Sequence, residues 1–316
     1  MRIVSLLASG TEIVCGLGAG HTLLGRSHEC DNPDWVRTLP ACTRPTFDIE
    51  MSSKEIDVEV RRRLKEGEPL YHIDGELIRQ LKPDLLITQE HCEVCAVTPG
   101  DVARTGCKGL AHQVLALGAG TIRGIYDGIL AVGEAINRTS AAHALVANIQ
   151  QRIDKTYQAV RKKSAPTVVI LEWTDPIFPT GNWGPELVQA ANGKLLLGGK
   201  GEHSRAISWE HVREADPDYL IVAPCGYSLD RSLREIPVLE ALPGWFELSA
   251  VEKGRVVFAD GNRFFNRSGP TISETVEIIA EILHGCRSRG SWEGSAWQRY
   301  APLGIGSGSG LESAHS

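Results

Sequence analysis

No apolar run in this chain of 316 residues approaches the roughly 18 residues that a membrane-spanning helix needs. There is no excess of basic charge either: the net charge is −6 and the pI lies near 6.0. A nucleic acid or an anionic membrane surface is therefore excluded as the main partner. The chain has no G-x-S-x-G nucleophile elbow, no phosphate-binding loop and no dinucleotide fingerprint. "GLGAG" at 16–20 closes a helical pattern where a nucleotide motif would open one. An export signal is not apparent, because the opening apolar run is short and Glu12 interrupts it. The stretch reads better as a buried strand over Arg2 to Leu7 that turns into a helix near Thr11, so a cytoplasmic location is the expectation.

The composition, 42% hydrophobic and 23% charged, is that of a soluble globular protein with room for about two domains. Eight cysteines in a chain this long are no small secreted disulfide scaffold. In a reducing compartment they are thiols, ligands or core residues. Short apolar runs such as "RIVSLL", "TLLGRS", "DLLIT" and "QVLAL" read as strands, and helical patterns lie between them. "TVVIL", "KLLLG", "YLIVA" and "RVVFA" repeat the arrangement in the second half. Alternating strands and helices indicate α/β lobes with mainly parallel sheets, each sheet covered by helices on both faces. "DGELIRQLKPDLLIT" (74–88) and "SWEHVREADPDYLIV" (208–222) align without a gap, so the two halves resemble each other. Asp74 and Ser208 stand where N-caps belong. Between the halves, Leu145, Ile149, Ile153, Tyr157 and Val160 recur at helical spacing in one long, stiff segment. The expected organisation is an N-terminal lobe over 1–138, a linking helix over 139–164 and a C-terminal lobe over 165–286. A Gly/Ser-rich tail follows over 287–316, its first part pinned by Trp292, Trp297 and Tyr300.

Ligands of open α/β sheets bind beyond the carboxyl ends of the strands. The residues that follow each strand therefore define a candidate cleft between the lobes. For ligand binding they include Ser9, Thr11, Arg44 and Glu90 from the first half. The second half supplies Trp173, Trp183, Tyr227, Asn262, Phe264, Phe265 and Arg267. The aromatic faces suit a flat or bulky ligand. Adjacent residues in "NRFFNR" are not expected all to face inward.

These features resemble the helical-backbone (class III) substrate-binding proteins. The likeness spans roughly residues 1–286 and rests on "RIVSLLASGTEIVCGLG", the "KPDLLI" and "DPDYLIV" strand entries, the linking helix and "GRVVFADGNRFFNRSGPTISETVEIIAEILH". The resemblance implies two three-layer α/β/α lobes joined by one long helix. It also implies a cobalamin, haem or iron–siderophore ligand delivered to an ABC importer. "GRSHECDNP" and "EVCAVTPGDV" are most similar to the cobalamin-binding branch, so a corrinoid or related metallo-tetrapyrrole is the ligand it implies. Without an export signal an importer partner is not expected, and the protein reads as a monomer.

The loop "QEHCEVCAV" at 89–97 leaves several readings open. Cys92 and Cys95 form a C-x2-C half-site that His28, Cys30 and His91 could complete around zinc, but a second C-x2-C is missing. A redox pair and plain packing under the cleft are alternatives. So is a lip in which an imidazole, His28 or His91, ligates a metal that the ligand carries, since imidazole binds metal at neutral pH. A binding protein is the leading function. A metal-dependent enzyme of chelatase or lyase type, using the same His/Cys cluster, is the alternative.

Overall fold

The computed structural model describes residues 1–90, 96–104, 111–287 and 289–302. In the first half the strands are β1 (Ile3–Ser5), β2 (Leu23–Arg26), β3 (Thr43–Pro45), β4 (Tyr71–Ile73), β5 (Leu85–Gln89) and β6 (Gln113–Leu117). In the second half they are β7 (Thr167–Thr174), β8 (Ile177–Pro179), β9 (Lys194–Leu195), β10 (Tyr219–Val222), β11 (Val256–Ala259) and β12 (Trp297–Arg299). One sheet runs β2-β1-β5-β6 with every pair parallel. Parallel strands covered on both faces are apolar throughout, and β1 and β5 are buried at every position. The second sheet runs β12-β11-β10-β7-β8, with β9 also on β7. Its centre is parallel, whereas β8 and β12 are antiparallel additions. A small ribbon, β3 against β4, stands beside the first sheet.

The repeat seen in the sequence is a repeat in space. A helix over Gly75–Leu81 leads into β5, and one over Trp209–Ala215 leads into β10. Both end on a non-glycine residue in the left-handed region, Lys82 and Asp216. At their starts they differ. The Asp74 carboxylate accepts from the Leu77 N–H, whereas Ser208 leaves its helix uncapped and bonds the His211 ring.

The linking helix covers Thr139–Val160. Its 22 residues span about 33 Å at 1.5 Å each. Ala142, Ile149, Thr156 and Val160 are buried, and Leu145 and Ile153 pack against them. Tyr157, expected on this stripe, is 40% exposed, and Thr156 takes the inward position beside it. One hydrophobic cluster runs from Ile3 and Ile87 in the first sheet through Ile149 and Val160 to Ile170 and Ile221 in the second. The two lobes therefore share a core along this helix. The last helix, Ile272–His284, is buried along most of its length, and Arg152 of the linking helix pairs with its Glu277 at 2.9 Å.

Beyond that helix the chain returns to the second lobe. The Trp292 N–H donates to Glu281, and the Trp292 ring lies edge-on to Phe264. β12 then pairs with β11, and Trp297 is fully buried.

Candidate functional site

The seam between the lobes is closed by polar groups from strand ends and loops. Arg267, which follows the turn after β11, donates to Glu12 at 2.9 Å and to Asp31 at 2.7 Å. Its other nitrogen donates to the Asn262 side-chain oxygen at 3.0 Å, and Asn262 donates on to Asp31 at 2.9 Å. Asn32 donates to the same Glu12 oxygen at 2.9 Å, and its own oxygen accepts from Arg263 at 3.3 Å. Both Arg267 and Glu12 have only 3% of their side chains exposed. Burial works against the Arg267 charge, but Glu12 and Asp31 outweigh it and raise its pKa. Burial pushes the Glu12 carboxyl up, against the pull of Arg267 and Asn32.

Glu29 stands beside this network on the segment after β2. Burial raises its carboxyl to about 7, with Arg267 opposing and Asp31 adding to the rise. Asp260 is shifted up in the same way, by burial first. The charge at the seam is thus two guanidinium groups, Arg263 and Arg267, among four carboxyl groups, Glu12, Glu29, Asp31 and Asp260.

A second set of contacts crosses the seam at the start of the helix Ser53–Glu66. The Trp173 indole donates to the Ser53 carbonyl at 3.1 Å, and Arg231 donates to the Met51 carbonyl at 2.6 Å. Trp173 packs on Tyr227 with ring centroids 5.2 Å apart, and Arg231 lies over the other aromatic partner, the Tyr227 ring, at 4.4 Å. On the first lobe, the His28 Nδ1 and the Thr43 hydroxyl are 2.8 Å apart, and the His28 ring lies 5.3 Å from that of Tyr71. Burial lowers His28 to about 4, with Arg26 adding to the fall. The imidazole is therefore neutral at pH 7, and Nδ1 is the nitrogen engaged by Thr43.

These contacts sort the residues picked out by sequence. Trp173, Asn262 and Arg267 bond across the seam and Tyr227 backs Trp173, whereas the contacts of His28, to Thr43 and Tyr71, lie within the first lobe. Trp183, Phe264 and Phe265 do not form a rim; they are 8%, 4% and 6% exposed and belong to the shared core. The physical reason for the two phenylalanines is the wide turn over Gly261–Phe265, closed by an Asn266 N–H to Gly261 C=O bond. It fits only because Gly261 lies against the Pro224 carbonyl, which an added Cβ would meet at 2.0 Å. Trp292 covers Phe264 from outside.

Thr11 and Cys30 are likewise inside: the Thr11 hydroxyl donates to the Cys30 sulfur at 3.0 Å. Cys30 is 1% exposed, burial raises its pKa, and its sulfur is packed against Thr11, Ser27 and the Ser5 carbonyl. Ser9 is buried with its hydroxyl unpartnered. Arg44 is exposed in the middle of β3, and Glu90 is exposed just after β5. His91, Cys92 and Cys95 lie outside the described residues, so the zinc and lip readings of that loop are not decided by this geometry. Among the described residues no group of three or more His, Cys, Asp or Glu is placed to hold a metal ion.

Asp31 and Asn32 were not singled out from the sequence. Glu12 was noted only as the residue that interrupts the opening apolar run. A charged residue in the otherwise apolar "TEIVCGLG" was the available signal.

Comparison with known proteins follows the same outline. Residues 3–262 match the model of the periplasmic binding protein family. The chain is 25% identical over 290 residues to YvrC of Bacillus subtilis, described as an uncharacterized ABC transporter substrate-binding lipoprotein, covering 90% of this chain and 80% of that one. It is similar in structure to a periplasmic haem-binding protein of Pseudomonas aeruginosa, with 18% identity, a TM-score of 0.69 and 95% and 98% of the two chains covered. It is also similar to the periplasmic vitamin B12-binding protein BtuF of Vibrio cholerae, with 19% identity, a TM-score of 0.64 and 91% and 98% covered.

Proposed function

The chain belongs to the periplasmic binding protein family, and from that premise we propose that its interlobe cleft holds a corrinoid or a related metallo-tetrapyrrole for an ABC importer. The expected cytoplasmic location is corrected by the family match and by the lipoprotein relative. The opening stretch is indeed a buried strand, but a strand is no statement about compartment. With that location falls the argument against an importer partner.

The observation that carries the ligand reading is His28. Its ring is neutral at pH 7, Thr43 engages Nδ1, and no described residue bonds Nε2. A fixed neutral imidazole with one unbonded ring nitrogen is a suitable axial donor to a metal that arrives inside a flat ligand. On the facing lobe the partly buried Trp173, backed by the buried Tyr227 ring, supplies the aromatic surface. The relatives whose ligands are named take haem or vitamin B12, which agrees with a large metal chelate.

The test is a visible titration of the purified protein with aquocobalamin, cyanocobalamin and haemin. A saturable spectral change with aquocobalamin, reduced at least tenfold in affinity by His28→Ala, is expected. No saturable change with any of the three sinks the reading.

A further inference from the structure

The segment between β3 and β4 stands apart from the rest of the first lobe. Its ends are held together: the ribbon pairs Pro45 with Tyr71, and the Thr46 N–H donates to the Leu70 carbonyl at 3.0 Å. Between those ends lies the helix Ser53–Glu66, in which only Ser53 and Ile56 are buried. Helices in proteins mostly draw their stability from an apolar face packed on the core. This one is stabilised from within. Ser52 and Glu55 form a reciprocal capping box at its start, and Gly67, in the left-handed region, closes its end. Arg61 pairs with Asp57, and Arg62 and Arg63 both pair with Glu59. Arg63 also donates to the Thr46 hydroxyl at 2.9 Å and lies 5.6 Å from the Phe47 ring centroid, which ties the helix to its own stem.

The start of this helix reaches the second lobe. Trp173 and Arg231 hold the Ser53 and Met51 carbonyls, on either side of the N-cap Ser52. Arg234 pairs with Glu50 at 3.1 Å, but both are mostly exposed, so this contact adds little. Arg231 is anchored in its own lobe, on Glu235 at 3.5 Å and over the Tyr227 ring. Undocking the helix would return two carbonyls to water and leave Arg231 with Glu235, so no buried charge is stranded. The rest of the seam lacks that freedom. The lobes share a core along the linking helix, and Arg267 is buried between Glu12 and Asp31. A bulky ligand entering between the lobes therefore meets a fixed body and one part that can move. The stem of that part also touches His28, through Thr43 on β3 and Tyr71 on β4.

We propose that residues 46–70 form a strap across the cleft, and that ligand enters and leaves when the strap undocks from Trp173 and Arg231 while the lobes stay in place. The inference rests on the reading that the interlobe cleft holds a ligand. Trp173 then has two roles: its N–H holds the strap, and its ring meets the ligand.

Two measurements test it. The first needs no ligand. An undocked helix of this length is marginal in water, so hydrogen exchange read by mass spectrometry should be at least tenfold faster in the helix Ser53–Glu66 than in β1 and β5. Trp173→Phe keeps a ring but loses the indole donor; it should speed exchange in the helix at least threefold and leave β1 and β5 unchanged. The second is stopped-flow mixing with aquocobalamin, cyanocobalamin and haemin, for the parent and for a variant in which an Asn-Gly turn replaces residues 47–69. That turn suits the site, because Thr46 and Leu70 already bond across the ribbon. The shortened protein should bind and release ligand at least tenfold faster than the parent. Equal rates in the two proteins, or helix exchange that Trp173→Phe leaves unchanged, overturn the strap and leave the reading of the cleft intact. Binding by neither protein sinks the reading of the cleft, and the strap falls with it. Should the shortened chain fail to fold, the exchange measurement decides alone.

Discussion

Trp173 and Phe264 are both large aromatic residues at strand ends, yet they answer to different forces. Trp173 is only partly buried and reaches across the seam. Trp173→Ala should weaken corrinoid binding by about 1–3 kcal/mol, the range for an aromatic anchor, read from the visible titration. Phe264 is 4% exposed and part of the shared core. Phe264→Ala should instead cost about 3–5 kcal/mol of stability, read from urea unfolding, with no specific effect on ligand affinity.

Glu29 gives a pH dependence with a definite sign. Its folded pKa, about 7, lies above the ordinary carboxyl value, so the folded state holds the proton more tightly than the unfolded chain. The stabilising contribution is complete below the ordinary value and is lost as pH rises towards and through about 7. His28, lowered to about 4, acts the other way: its contribution is present at neutral pH and fades as pH falls towards 4. Comparing the urea midpoints of the parent and Glu29→Gln isolates the first effect. The parent should lose stability relative to the variant between pH 5 and pH 8, and a constant difference would refute the assignment. That Glu29 behaves this way was not legible in "SHEC", because the rise comes first from burial in the folded chain, and Arg267, which opposes it, arrives from 238 residues further along.

Among the elements, strands and helices were legible because each carries its period or its apolar run locally. The 134-residue repeat held down to paired left-handed residues at Lys82 and Asp216. What was not legible was set by partners distant in sequence. In the turn over Gly261–Phe265 two adjacent phenylalanines are buried, and Phe264 is covered by Trp292 from the chain past 287. The Arg267 network joins residues more than 230 positions apart. Its energetic weight is testable. Arg267→Met leaves Glu12 and Asp31 without their cation, and breaking a buried pair on one side costs about 3–5 kcal/mol. A loss of that size in urea unfolding is expected, and a loss below about 1 kcal/mol would show that the network is solvated.

At the scale of the molecule, the lobes are tied by a stiff helix, a shared core and several bonds across the seam. That arrangement favours a small twist on ligand binding over a wide closure. Solution scattering with and without ligand should give nearly the same radius of gyration, and a large decrease would contradict it.

β11 bonds to β10 on one side and to β12 on the other, so β12 serves as a cover for what would otherwise be a bare sheet edge. An uncovered edge is a template for another chain to pair with. A chain cut after Arg287 would leave β11 open, Phe264 without Trp292 and the Glu281 carboxylate without the Trp292 N–H. Such a fragment would still carry the cleft, but it would self-associate, and dynamic light scattering at rising concentration should register particles far larger than the parent. The closing segment of the chain is in this sense a guard against aggregation, and its value lies in the neighbours it keeps away.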